Sequence, residues 1–590
     1  MRRIHLKKSA VCALAITLSL SVASSVMMVS ATQEPPSAPP SGATPGDGSG
    51  GGPGGNAPGG NAPSGGGGGG ADTMTYDYTG TLTGALSANG KEVTSDKETY
   101  TASDADENAA LVQNEGTLTI TNGTLSKSGD DTNGDRCNFY GLNSILLAVN
   151  DGSKAYTSGS TLSADSEGSN GIFSTDGATV YANDDKITTT AGNSRGLDAT
   201  YGGTIVANQM TISTSGDHSA SIATDRGGGS ISVTNSNLST QGSGSPLLYS
   251  TGDIEVDNVT GTSTGSQIAG MEGLNTILIY NSSLTSTNTK ASASDPIADG
   301  IIIYQSTSGD AESATGGAAQ FQAVNSTLKS AIASGSMFYF TNTKANIVLS
   351  NTTLDFDSSK ANLITVQGND SNNWGTAGSN GATVTFTGLG ETISGNIDVD
   401  TISSLNLYLL ENTTYTGAAS ISTNSVNTSA SDAPITVNLD GTSKWVVTGN
   451  STVTNLNAAP GALIVDESGK QVTIVANGTV VVKGTSSYTV TVTGCYATTV
   501  TTSSDNELST TYIDRTDFDQ YYSTTTSYGK NGTSAATTAS EQSTQAAQDT
   551  QNTTQESSKS ASYVLYGAAA AAVVAGALFV IYKKKKHGDE

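Results

Sequence analysis

Between Leu118 and Asn351 the chain restates one phrase, an alternating strand that ends in Asn and is followed by Ser or Thr and then an apolar residue. The copies read TLTITNGTL, TIVANQMTI, SISVTNSNL, DIEVDNVT, TILIYNSSL, QAVNSTL and IVLSNTTL, with Asn122, Asn208, Asn235, Asn258, Asn281, Asn325 and Asn351 at their ends. Asn183 in TVYANDDKI belongs to the series, and the gaps from Asn183 to Asn281 are 25, 27, 23 and 23 residues. That length suits one circuit of three short strands and three turns. The expected fold is therefore all-β, a right-handed parallel β-helix of about 23–27 residues per rung.

Each copy sets apolar residues two apart, as in Ile231 and Val233 or Ile277 and Ile279. A strand with two inward side chains buries no core alone, but rungs stacked at about 4.8 Å share a continuous column and pair their backbones. Asn suits the corner because it tolerates the left-handed region and its amide can bond along the stack. A second set of phrases runs half a turn earlier and includes GIFSTD, GLDATY, ASIATD, PLLYST and QIAGME. Read together, they place Asp198 in an otherwise apolar column of Phe173, Ile222, Leu248 and Ala269.

The ends read differently. Residues 1–31 form a secretory signal, with Arg2, Arg3, Lys7 and Lys8 before an apolar run and Val29-Ser30-Ala31 as the cleavage site. Residues 32–71 are a Gly/Pro-rich linker that cannot bury a core. The expected divisions are then an N-terminal cap with the first strands at 72–115, regular Asn-corner rungs at 116–381, less regular rungs at 382–487, and a C-terminal cap at 488–522. A Ser/Thr/Gln spacer follows at 523–562. Residues 563–582 carry no charge and are long enough for a membrane-spanning helix, and the basic tail 583–590 would stay in the cytoplasm. The chain is thus expected to be a single-pass protein with its β-helix outside the cell. With 26 Lys+Arg against 52 Asp+Glu, the net charge of −26 excludes nucleic acid as a partner. After signal removal Cys137 and Cys495 remain, far apart along a solenoid; two free thiols and a crosslink to another chain are both open.

The segments SKSGDDTNGD, FYGLNSILLAVNDGS, SRGLDATYGG, HSASIATDRGGGSISV, SPLLYSTGDIEV, GIIIYQSTSGDAESATGG, FYFTNTKANIVLS and WGTAGSNGATVTFTG carry a resemblance. The sequence resembles secreted, adhesin-like right-handed β-helix proteins of Gram-positive anaerobic bacteria, related in architecture to pectate-lyase-like folds. The resemblance implies a surface location and a β-helix, and no activity.

Those segments are more polar than a solenoid needs. A buried carboxylate at Asp198 needs a partner, and Arg195 and Arg226 are placed to supply one. The structural reading is an ion pair that fixes a turn. The functional reading is a groove in which Arg195, Asp198, Tyr201, His218, Asp225 and Arg226 line adjacent rungs, with Glu272 and Tyr304 further along. No catalytic set is assigned; for an enzyme, Asp198, Arg195 and Arg226 would carry it, as a polysaccharide lyase or hydrolase. No cofactor is required. Calcium is the cation that Asp176, Asp225 and Glu272 would take, although Asp176 and Asp225 stand two rungs apart, about 9.6 Å. Binding fits better than catalysis, because long arrays of Thr, Ser, Asn and Tyr can meet a polymer over many rungs. The expected function is a membrane-anchored, adhesin-like protein, non-enzymatic, whose partner is an extracellular glycan or a neighbouring surface. A stalk without a specific ligand is the remaining alternative.

Overall fold

The computed structural model describes residues 75–307, 311, 317–370, 374–429 and 433–528 of the 590. The expected signal at 1–31, the Gly/Pro-rich segment 32–71, most of the expected spacer, the apolar segment 563–582 and the basic segment 583–590 lie outside the described residues. Among the described residues no helix is long and apolar enough to cross a membrane.

Three parallel sheets run the length of the molecule. Face A has thirteen strands, from Thr83–Asn89 to Ala419–Ser422. Face B has fifteen, from Glu92–Asp96 to Tyr496–Ala497. Face C has ten, from Thr99–Ala102 to Thr353–Asp355, and a four-stranded sheet from Thr392–Ser394 to Leu463–Asp466 follows it in the later rungs. The chain visits A, B and C in turn, and each strand pairs in parallel with its counterpart one rung on. This is a parallel β-helix. Among the described residues the one antiparallel strand pair is the hairpin of Thr473–Ala476 with Thr479–Val482.

Inward residues stack in register. On face A, Ile172, Leu197, Ile222, Leu248, Ala269 and Ile301 form one continuous column. On face B, Ile205, Ile231, Ile254, Ile277, Phe321 and Ile347 form another. All belong to one buried cluster spanning the solenoid, and each fully buried aliphatic side chain contributes about 1.5–3 kcal/mol. Strand alternation produces the column. Parallel pairing at fixed spacing makes it continuous.

The corner asparagines behave as their chemistry suggests, with one correction. Asn122, Asn235, Asn258, Asn281, Asn325 and Asn351 all adopt positive φ, between 48° and 56°. Their amides bond along the stack, Asn235 Nδ2 donating to Asn208 Oδ1 and Asn258 Nδ2 to Asn235 Oδ1, both at 2.7 Å. In two rungs, however, Asp184 and Gln209 occupy the left-handed position instead of Asn183 and Asn208. These two asparagines end their strands extended, and Asn208 still donates to Asn183 at 2.8 Å.

Two appendages cover the solenoid. Helix α1 (Gly134–Tyr140) lies on face A. Asn133 caps its N-terminus by accepting from the Arg136 N–H at 3.1 Å, Asp135 sits in its first turn, and Gly141 ends it at φ 72°. A Cβ at Gly141 would come within 2.4 Å of the Phe173 ring, so the close approach of helix to sheet requires glycine there.

The second appendage is a strap. The sequence suggests a cap over the last rung at 488–522, and Thr489–Val492 and Tyr496–Ala497 do pair at that end. The chain then turns back along the outer side of face B. Asn506 donates to Thr387 at 2.9 Å, Ser509 N–H to Gln322 at 2.9 Å, and Ile513 N–H to Glu255 at 2.9 Å. Arg515 donates to the Ser232 and Ala207 carbonyls at 2.9 and 3.1 Å. Helix α2 (Thr516–Tyr522) follows, and the Tyr522 hydroxyl reaches the Thr157 carbonyl at 3.0 Å. From the rung of Thr383–Leu389 to that of Lys154–Ser158 the strap crosses eight strand spacings, about 38 Å.

Candidate functional site

The polar residues singled out in the sequence converge on the outer side of face A, beneath α1. The register first requires a correction. Asp198 pairs with Phe173 on one side and Ala223 on the other, whereas Ile222, Leu248 and Ala269 align with Leu197. Asp198 therefore points away from the solenoid core and does not interrupt it. A one-residue slip in a strand reverses the face of every side chain, and the polar phrases left that slip unconstrained.

Although outward, Asp198 is fully buried, at 0% exposure. Arg195 lies beside it, Nε to Oδ2 at 3.5 Å, and also pairs with Asp225 at 3.1 Å. The same guanidinium donates to Asn138 of α1. Thr200 bonds the Phe139 carbonyl at 2.8 Å, Asn170 bonds the Cys137 carbonyl at 3.1 Å, and the Arg226 guanidinium sits 3.7 Å from the centre of the Phe139 ring. One arginine thus ties two rungs to the helix that covers them.

Burial pushes the Asp198 carboxyl well above the usual carboxylate range, with Arg195 opposing and Asp225 adding to the rise. Burial disfavours the charge on Arg195, but Asp198 and Asp225 more than offset that and hold it protonated. The two carboxyls thus hold Arg195 as the cation, while burial makes the charge on Asp198 costly. Enclosed in this way, the cluster offers no free base to solvent.

The remaining expected site residues separate. Tyr201 is packed between the rings of Tyr140 and Tyr76, at 5.7 and 5.6 Å. His218 sits in the turn before face A, where burial and then Arg195 lower its pKa. Further along, Glu272 accepts from the Tyr249 hydroxyl at 3.0 Å and from the Ser306 N–H at 3.3 Å. Tyr304 is stacked on Trp374 at 4.1 Å, and Tyr280 is closed off by the strap residues Tyr512 and Tyr528. The faces of these tyrosines are largely taken by the protein's own rings.

Asp176, Asp225 and Glu272 do not converge either. Asp176 accepts from Asn150 at 2.9 Å, and the strand Leu248–Ser250 lies between the rungs of Asp225 and Glu272. Among the described residues no three His, Cys, Asp or Glu side chains are grouped closely enough to hold a metal ion. Cys137, inside α1, is a buried free thiol.

Several buried carboxyls escaped the sequence reading, Asp299 and Glu255 among them. Asp299 is 3% exposed, and neither of its oxygens has a hydrogen-bond partner. Burial, and then the nearby Asp295, raise its pKa, while Asp295 itself is pushed up to about 7 by burial. Asp299 occupies the first position of its face A strand, opposite Ser336. The aligned phrases offered no counterpart for it, because the preceding segment, 287–298, is an insertion.

The open surface is elsewhere. Face C presents two outward columns to solvent. The first runs Thr99, Thr124, Thr161, Lys186, Thr211, Asn237, Thr260, Ser283, Thr327 and Thr353. The second, two residues on in each strand, runs from Thr101 through Thr188, Ser213 and Thr262 to Lys329 and Asp355. All are exposed or half-exposed. Ten strands give a row about 43 Å long. Its only charges are Lys186, Lys329 and Asp355, of which the last two pair at 2.6 Å, so the face is nearly neutral on a strongly acidic chain.

No protein-family model, curated protein or solved structure matches this chain.

Proposed function

We propose that this chain is a non-enzymatic, adhesin-like surface protein, a right-handed β-helix held outside the cell by its C-terminal apolar segment, that binds an extended, uncharged glycan along face C. The observation that carries the reading is the in-register, near-neutral hydroxyl surface of face C. A neutral polymer can lie on it without stripping water from charged groups. Weak contacts repeated at every rung add through multivalency. The right-handed sense follows the rule for parallel crossovers.

The enclosed cluster on face A supports the non-enzymatic part. Arg195, Asp198 and Asp225, the residues best suited to acid–base work, are spent on holding α1 and are shut away from any polymer.

The test is retention of the full chain on a panel of plant, mucin and microbial glycans, alongside a variant with Thr211, Thr260 and Thr262 each replaced by Lys. The reading predicts selective retention of an intact neutral polymer and its loss in the variant. Retention that survives those substitutions, or a polymer released in shortened form, would overturn it.

A further inference from the structure

Beneath the strap lies a cleft of about 720 Å³ between face B and the segment Ser504–Asp514. Its floor includes Thr204, Ser230, Glu255, Gln320 and Gln322, and its roof includes Leu508, Tyr512 and Ile513. Four carboxylates line it, from Asp253, Glu255, Glu507 and Asp514, and no lysine, arginine or histidine does. The nearest buried cation, Arg515, aims its guanidinium at the Ser232 and Ala207 carbonyls.

Glu255 gives the cleft its character. It is 3% exposed. Its Oε1 accepts from the Ile513 N–H at 2.9 Å, but its Oε2 is buried without a hydrogen-bond partner. A carboxylate oxygen withheld from water and given no donor is costly. Beside a cavity of this size, the missing donor can be a ligand's. The hydroxyls and amides of Thr204, Ser230, Thr276, Gln320 and Gln322 line the same cleft and offer both donors and acceptors.

We propose that this cleft is a binding site for an amino sugar, whose protonated amine bonds Glu255 Oε2 while its ring hydroxyls meet the glutamines and hydroxyls of the floor. The volume accommodates a ligand of one or two sugar rings. Carboxylates in a lining without Lys, Arg or His select a cation, and the polar floor favours a hydroxylated ligand over a plain alkylamine. The electrostatics agree. Burial pushes the Glu255 carboxyl up to about 7; the Ile513 N–H and Arg515 oppose the rise, and Asp253 adds to it. A bound ammonium favours the ionised form, so binding near pH 6 should release a proton. The site is separate from face C and stands or falls independently of the polymer reading.

The experiment is isothermal titration of the full chain with diglucosamine, the free-amine disaccharide, and with its di-N-acetylated counterpart, which keeps the rings and loses the charge. The expected result is at least tenfold tighter binding of the free amine and a tenfold or greater loss in Glu255→Gln, which keeps the side chain's shape. Limited proteolysis of the strap checks that the variant is closed. Should Glu255→Gln free the strap, Asp253→Asn on the rim replaces it, with an expected threefold weakening. Equal affinity for the two sugars, no binding of the free amine, or affinity unchanged in the closed variants would each overturn the proposal.

Discussion

Replacing Arg195 by Met separates a structural clamp from an active-site arginine. The guanidinium is buried, pairs with Asp225 at 3.1 Å and Asp198 at 3.5 Å, and donates to Asn138 of α1. Met preserves most of the volume but strands two buried carboxyls and an amide oxygen. Removing one partner of a buried ionic group costs about 3–5 kcal/mol. Because Asp198 meets Arg195 only at 3.5 Å and burial penalises its charge, Asp198→Asn should cost far less, about 1 kcal/mol, and Asp225→Asn, which weakens a charge-assisted hydrogen bond at 3.1 Å, about 1.5–3 kcal/mol. The loss should fall on α1 and the rungs beneath it, since a solenoid opens locally. Amide hydrogen exchange over 134–140 and 195–200 reads it directly. The reasoning predicts the order Arg195→Met, then Asp225→Asn, then Asp198→Asn. Unchanged exchange at α1 in Arg195→Met, or Asp198→Asn as damaging as Arg195→Met, would refute it.

Other consequences can be measured alongside. Burial pushes Asp185, Glu255, Glu391 and Asp295 up to about 7, so the folded state holds these protons more tightly than the unfolded chain, whose carboxyls titrate near 4. That stabilisation is complete below pH 4 and lost as pH rises through 7, on the order of 1–3 kcal/mol per carboxyl; Tm should fall between pH 5 and 8, and a rise over that window would contradict the assignment. Arg515→Ala removes four hydrogen bonds from the strap to face B and one within the strap to Thr526, at a cost of about 3 kcal/mol, and should accelerate proteolytic nicking within 499–528 at least tenfold while the rungs stay intact; an unchanged nicking rate would count against the strap. Asn235→Ala should destabilise by about 2 kcal/mol, having φ 52° and two side-chain bonds along the stack. Asn183→Ala should cost about 1 kcal/mol less, because Asp184 holds the left-handed position there, and urea midpoints that fail to separate the two would count against this account of the corners.

The regular part of the fold was legible because it rests on two local signals, alternation and the left-handed corner, which repeat often enough to expose their period. Ile231, Ile254 and Ile277 fall on one column and Asn235, Asn258 and Asn281 on one corner by spacing alone. The register of face A was harder. In GLDATY and ASIATD both Leu197/Asp198 and Ile222/Ala223 fit an alternating pattern, and only the pairing shows that Asp198 aligns with Ala223. Helix α1 lies over face A through contacts 57 and 61 residues apart, Arg195 to Asn138 and Thr200 to Phe139, a pairing that no periodicity encodes. The aromatic stretch after Tyr488 was visible as something that covers a surface. Which surface it covers depends on Arg515 finding Ser232, 283 residues away. Tyr528 completes that contact by packing against Tyr280 and Tyr512, so a fragment ending at Tyr522 would lose part of the strap's anchor.

The central claim is that the partner lies along face C while the charged groups of face A stay enclosed. Hydroxyl-radical footprinting of the full chain with and without a retained glycan tests it most directly. The account predicts protection in an unbroken run of face C strands, Lys186–Thr189, Thr211–Thr214, Asn237–Thr240 and Thr260–Ser263, with Tyr201, Tyr249 and Tyr304 unchanged. Protection concentrated at those tyrosines, with face C untouched, would contradict it and return the function to the groove on face A.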